Sequence, residues 1–262
     1  MPQITPRPAP IVISYEYPLS ERVRTLLRLE DLYERVDYFS AKIDPLEHHA
    51  ALLSIFEILE VSGRADLKSD LLQELERQKQ TLEALRDNPD ISEEALDNVL
   101  WQIDQASSKL FQASGKVGQE LRENEWLMSI KQRTSIPGGV CEFDLPSYHY
   151  WLQQNPEMRR RDLNGWLSPF LSIRDGINIV LRLLRESGKT TPQVAYQGVY
   201  QQMMAGRMAQ MLRIRLSRTY HCVPEMSANK YALNIRFTTQ EGGQRPKAVE
   251  GDVEFELTFC NL

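Results

Sequence analysis

The sequence predicts an α+β protein: a mainly α-helical domain followed by an antiparallel β domain, sheet- or sandwich-like, that also takes in an N-terminal strand. Three observations predict it. Between residues 20 and 188, apolar residues recur at spacings of three and four, punctuated by helix-start and helix-stop signals. After Gly188 the period switches to two. An isolated alternating run at 11–17 precedes the first helix, with no strand near it in sequence, so it is assigned to the C-terminal sheet. The expected division is 1–19 for a mobile proline-rich tail and the first strand, 20–188 for the helical domain, which would carry dimerisation, and 189–262 for the β domain.

Each element has its own justification. Ile11, Ile13, Tyr15 and Tyr17 alternate with Val12, Ser14 and Glu16. Ser20 is placed to cap a helix whose stripe includes Val23, Leu26, Leu27 and Val36. Asp44, Pro45 and Glu47 supply N-cap, N1 and N3 of the next helix, with Leu46, Leu53, Phe56 and Leu59 as its apolar positions and Gly63 as its end. Asp66 can cap a third helix. There Leu71, Leu75, Leu82 and Leu85 form a heptad-like seam broken by Gln78, which suits a bundle helix or a dimer contact. Ser92 with Glu93 and Glu94 starts a fourth helix, favoured by the negative first turn. Gly115 and Gly118 interrupt it before a fifth that runs to about Arg133.

Residues 131–152, KQRTSIPGGVCEFDLPSYHYWL, break the helical pattern. Pro137, Gly138 and Gly139 demand a sharp turn. Cys141, Phe143 and Leu145 then alternate with Glu142 and Asp144, Pro146 stops any strand, and a ring-rich cluster follows. The stretch reads as a structured loop. Asn155, Pro156 and Glu157 start a short helix, and Ser168 and Pro169 a long one lined by Phe170, Ile173, Ile177, Leu181 and Leu184. Beyond Gly188, alternation is seen in a run containing Val194, Tyr196, Gly198 and Tyr200, then around Leu212, Ile214 and Leu216, then Leu233, Ile235 and Phe237, and finally Val253, Phe255, Leu257 and Phe259. Gly242 and Gly243 form the hairpin loop between the last two strands.

Composition narrows the function classes. With 262 residues and 42% hydrophobic content the chain can pack a core, and its net charge of −5 argues against a dedicated nucleic-acid binder. No apolar run approaches the roughly 20 residues of a membrane span. MPQITPRPAP lacks the apolar core of a secretory signal. Three scattered cysteines fit a reducing cytoplasm and no zinc site. SGKTT at 187–191 resembles the end of a phosphate-binding loop, yet the position needing the first glycine is Leu183, and the segment follows a helix instead of opening one. His48 and His49 point in different directions on a helix, and His149 and His221 stand alone. No catalytic constellation emerges, so neither catalysis nor a cofactor is expected. Basic residues gather in the β region: Arg213, Arg215, Arg218, Lys230 and Arg236. Arg213 and Arg215 share a strand face, and Arg236 would lie across from them if those strands pair. Such a set is either a solvated face or a surface for an anionic peptide or phosphate.

The block IPGGVCEFDLPSYHYWL resembles the signature of the ZapD family, the Z-ring-associated proteins of bacterial cell division. RVRTLLRLE (22–30), DLLQELERQ (70–78), VGQELRENEWL (117–127), LLRESG (183–188), LRIRLS (212–217) and PEMSANKYALNIRF (224–237) are similar to family blocks in the same order. The proline-rich extension through Pro10 and the four methionines of 203–211 depart from the family pattern. The resemblance implies a cytoplasmic homodimer located at mid-cell with the division ring. Such a protein binds the C-terminal tail of the tubulin-like protein FtsZ, crosslinks and bundles its protofilaments, and thereby lowers its GTPase rate. It also implies a basic binding surface. By matched motif position the candidates are Arg28, Arg64, His149, Lys230 and Arg236. Arg122 and Arg133 could be purely structural, and Arg213 and Arg215 come from the strand-face reading. The alternative is a non-catalytic adaptor for nucleic acid or another anionic ligand.

Overall fold

The computed structural model describes residues 11–63, 67–113, 115–204, 206, 208–239 and 245–262. Its helices are α1 (Glu21–Ser40), α2 (Pro45–Ser62), α3 (Leu67–Glu83), α4 (Glu93–Gln112), α5 (Gln119–Glu123), α6 (Glu125–Thr134), α7 (Pro146–Leu152), α8 (Pro156–Leu167) and α9 (Leu171–Glu186). Its strands are β1 (Val12–Pro18), β2 (Thr190–Ala195), β3 (Val199–Met203), β4 (Met211–Ser217), β5 (Val223–Ala228), β6 (Ala232–Thr239), β7 (Lys247–Ala248) and β8 (Val253–Cys260). The chain forms two compact units: a helical one, Thr25–Arg182, and a β-rich one made of Met1–Arg24 and Leu183–Leu262. The α+β class is therefore as the sequence predicts, a helical region followed by antiparallel sheets with the early strand added. The expected proline-rich tail, the Asp66 cap and the Gly242–Gly243 loop lie outside the described residues.

In the β-rich unit, one sheet has the order β1-β4-β8-β2 and a second the order β3-β6-β5, with β7 paired to β6. β1 joins antiparallel to β4, with Tyr15 opposite Ile214 and Glu16 opposite Arg213. The inner faces of both sheets share one core: Leu212, Ile214 and Leu216 of β4, Phe255 and Leu257 of β8, and Leu233, Ile235 and Phe237 of β6. Period-two alternation places these side chains inward. The run 194–200 is not one strand. β2 ends at Ala195 and β3 begins at Val199, because Gln197 and Gly198 both adopt positive φ (50° and 72°) and reverse the chain. β5, which the alternation did not mark, lies at a sheet edge, where Pro224 leaves no ladder donor missing on the paired side.

In the helical unit, the capping residues act as their chemistry dictates. Asp44 accepts from the Leu46 N–H at 2.8 Å, Ser92 from Ala95, and Asn155 from Glu157 at 2.9 Å. Several expectations are corrected. Leu46 is 74% exposed, whereas α2 buries most of its other apolar residues, including Leu52, Ile55 and Ile58. The fifth helix is two helices, α5 and α6, because Asn124 leaves helical geometry and caps the second. Ser168–Phe170 is a single 3-10 turn ahead of α9. Residues 141–145 form turns, a structured loop despite the local alternation. Asp144 and Leu145 N–H groups both donate back to the Cys141 carbonyl, Phe143 is 81% exposed, and Pro146, which needs no donor at N1, opens α7. The α3 seam is a bundle contact for its first half: Leu71, Leu75 and Gln78 are buried, with Leu71 beside Gly176 of α9 and Leu110 of α4. Only Leu82 and Leu85 remain partly open.

Two arginines of α8 hold the α1–α2 connection. Arg159 is 2% exposed. It donates to the carbonyls of Ile43 (2.6 Å), Leu152 (2.6 Å) and Gln154, and through Nε to His48 Nδ1 (2.9 Å). Because that guanidinium can only donate, His48 carries its proton on Nε2, which donates to the Lys42 carbonyl at 2.8 Å. Arg160 reaches the Ser40, Ala41 and Lys42 carbonyls at the end of α1. His49 shares a 2.7 Å hydrogen bond with the Tyr148 hydroxyl.

This arrangement makes stability pH-dependent. Burial pushes the pKa of both His48 and His49 below the ordinary 6.5, and for His48 the neighbouring Arg159 adds to the shift. The unfolded chain therefore takes up these protons first as pH falls. The stability they contribute is complete above about pH 6.5 and is lost below it, by up to about 1.4 kcal/mol per pH unit for each histidine. Urea midpoints should fall between pH 7.5 and 5.5, with a shallower dependence in His49→Gln. Equal midpoints at the two pH values would contradict the neutral-histidine network.

Candidate functional site

The signature block is explained by α7 and its surroundings. Tyr148 and Trp151, three residues apart, face inward and stack at 5.7 Å with 13° between ring planes. Trp126 and Trp166 close around them, with Trp151 at 6.3 and 5.5 Å from the two rings. The polar handles are satisfied: Trp126 Nε1 donates to Ser147 Oγ at 3.0 Å and Trp151 Nε1 to Asp162 at 2.9 Å. His149 and Tyr150 fall on the opposite side, His149 half-buried and Tyr150 exposed, and His149 Nε2 lies 3.9 Å from Glu142.

The other candidates of the helical unit differ in what they do. Arg28 is exposed on α1. Arg122 reaches across the end of α2 and donates to the Leu59 carbonyl at 2.7 Å, its guanidinium lying where a Cβ on Gly63 would have to displace it. Arg133 pairs with Asp144 at 3.3 Å and ties α6 to the central turn. Arg64 lies outside the described residues.

In the β-rich unit, the expected arginine cluster comes apart. Arg213 and Arg215 are on β4 and Arg236 is on β6, and those strands belong to different sheets. Arg236 therefore does not lie across from them. A shared alternation places residues on a face of their own strand and says nothing of which sheet the strand joins. Arg213 donates to Glu16 at 3.1–3.2 Å, and Arg185 binds the same carboxylate at 2.8–2.9 Å. Burial alone would raise the Glu16 carboxyl, but the two guanidiniums hold it below its usual range. Arg215 pairs with Glu256 at 2.9 Å. Glu16 and Arg185 were not singled out by the sequence reading; the alternation that put Glu16 on one face of its strand was the available signal.

Arg236 stands differently. It is exposed on the outer face of β6, with Val199 and Glu225 as its cross-strand neighbours. The next row is Gln201, Asn234 and Ser227. Together they line a shallow recess of about 400 Å³. Lys230, at the turn between β5 and β6, is exposed with its ammonium 4.8 Å from the Tyr231 ring centroid. The face thus offers a guanidinium fork and amide groups beside the Glu225 carboxylate, with the Lys230 ammonium at the adjoining turn, and these donors suit an extended peptide carrying carboxylates and carbonyls. Among the described residues, no group of three or more His, Cys, Asp or Glu side chains could hold a metal ion, and no helix is long and apolar enough to cross a membrane.

The chain is thus an α+β protein with a polar, arginine-bearing sheet face and a tryptophan cluster, half-buried around the buried Trp151, at its signature. Comparison with known proteins gives the family. The sequence model of ZapD, a cell division protein, matches residues 27–236. Cell division protein ZapD of Azoarcus sp. (strain BH72) is 61% identical over 251 residues, covering 96% of this chain and 100% of that protein. That of Aromatoleum aromaticum is also 61% identical, covering 96% and 98%, and that of Dechloromonas aromatica 60%, covering 96% and 100%. The chain belongs to the ZapD family of cell division proteins.

Proposed function

We propose that this protein binds the C-terminal tail of FtsZ and, as a homodimer, crosslinks and bundles FtsZ protofilaments in the cytoplasm at mid-cell, promoting ring assembly and lowering FtsZ GTPase activity. The observation that supports this most is family membership along 96% of the chain at 61% identity. The exposed Arg236–Lys230 face is the proposed tail contact, with Arg28 and His149 as further contacts on the helical unit. Arg122, Arg133 and Arg213, already engaged within their own units, act in this reading as supports.

Crosslinking requires two sites per particle. Light scattering of the purified protein should give a dimer of the 30.3 kDa chain at micromolar concentration. Added to polymerising FtsZ, it should raise turbidity and lower phosphate release, both weakening as salt rises because exposed charges are screened. A strict monomer would remove the crosslinking mechanism.

A further inference from the structure

We propose that a recess in the helical unit, between the end of α2 and the start of α3, is a binding site for a phosphate-class oxyanion. The recess holds about 190 Å³ and is lined by Ser62, Gly63, Lys68, Ser69, Lys116 and Arg122 among others. That is room for one small anion with a few waters, a water's share of liquid volume being about 30 Å³.

The observation that points to a ligand is Ser62. It is 5% exposed, and its hydroxyl is buried without a hydrogen-bond partner. A helical serine ordinarily satisfies itself on the carbonyl four residues back, as Ser54 does on Ala50 at 3.1 Å. Ser62 does not, and buried polar groups left unpaired are rare. An oxyanion in the recess would accept that proton.

Charge supports the same class. Lys68, Lys116 and Arg122 supply three cations. Lys68 spends one N–H on the Ala113 carbonyl (2.6 Å) and Arg122 one on Leu59 (2.7 Å), so both keep donors in hand. Among the described residues, Lys116 has no carboxylate at ion-pair distance. Among the described residues, the carboxylate at ion-pair distance from Arg122 is that of Glu60, at 3.9 Å, and Lys131 already binds it at 2.8 Å. Lys68 and Ser69 belong to the first turn of the 17-residue α3, where backbone N–H groups have no intrahelical acceptor. Donors converging from α2, α3, the 115–118 turn and α5 suit a tetrahedral anion better than the two oxygens of a carboxylate.

The site is independent of the division reading, and its test needs no partner. Inorganic phosphate is titrated into the full chain by calorimetry at fixed ionic strength in chloride, with acetate as the comparison. Wild type should show one saturable site, with phosphate tighter than acetate. Lys116→Ala, an exposed change that leaves the packing intact, should weaken phosphate binding at least fivefold, and Ser62→Ala about threefold. No saturable heat with phosphate overturns the proposal. So does acetate binding as tightly, or unchanged affinity in both variants.

Discussion

Arg159→Met should destabilise the helical unit in urea unfolding more than substitution of any other charged residue described there, by about 3–5 kcal/mol. The methionine fills much of the space but donates nothing. The carbonyls of Ile43, Leu152 and Gln154 and the Nδ1 of His48 would lose their donor together. Each such buried group left unsatisfied costs about 1–3 kcal/mol before relaxation. Arg159→Lys should not rescue, because one ammonium cannot reach four acceptors that a planar fork spans. Arg160→Ala should cost less, about 1 kcal/mol, since that side chain is partly open to solvent and water can replace it. Circular dichroism and the fluorescence of Trp126, Trp151 and Trp166 report the same unit. An Arg159→Met unfolding free energy within about 0.5 kcal/mol of wild type, roughly the scatter of surface substitutions, would show that the carbonyls find other partners.

Arg236→Glu combined with Lys230→Glu should abolish bundling while leaving the fold and the dimer intact. Both residues are exposed. A single exposed charge contributes about 1 kcal/mol to tail binding, about fivefold in affinity. A crosslink needs two occupied sites, so the bridged population falls by the product, about 25-fold for one residue and further for two. High salt should weaken the wild type and narrow its lead over the variant. If the double variant, and Arg28→Glu beside it, bundle as well as wild type, the sheet face is only solvated. The contact then belongs to the exposed side of α7, where His149 and Tyr150 lie.

How far the sequence alone reached depended on range. Local chemistry was legible: Asp44–Pro45, Ser92 and Asn155–Pro156 marked helix starts because capping is decided within four residues. The inward residues of β4, β6 and β8 were legible because alternation is a property of one strand. What failed was decided elsewhere in the chain. β5 was hidden by Pro224, which is tolerated only because the strand is at an edge. The turn at Gln197–Gly198 was hidden because glutamine is an unusual residue at positive φ. Arg213 and Arg236 were grouped on sequence proximity, whereas sheet membership depends on pairings dozens of residues away. Arg159 sits in the run Arg159–Arg160–Arg161, which reads as a solvated face. The signal that could have exposed it is its spacing of four from the buried Leu163.

The central claim is that FtsZ is captured by its tail. Co-sedimentation with polymerised FtsZ, full-length against a form lacking the C-terminal tail, tests it most directly. The account predicts that the protein pellets with full-length filaments at low speed and stays in the supernatant with tailless ones. Equal pelleting with both would contradict it, placing the contact on the filament body instead of the tail.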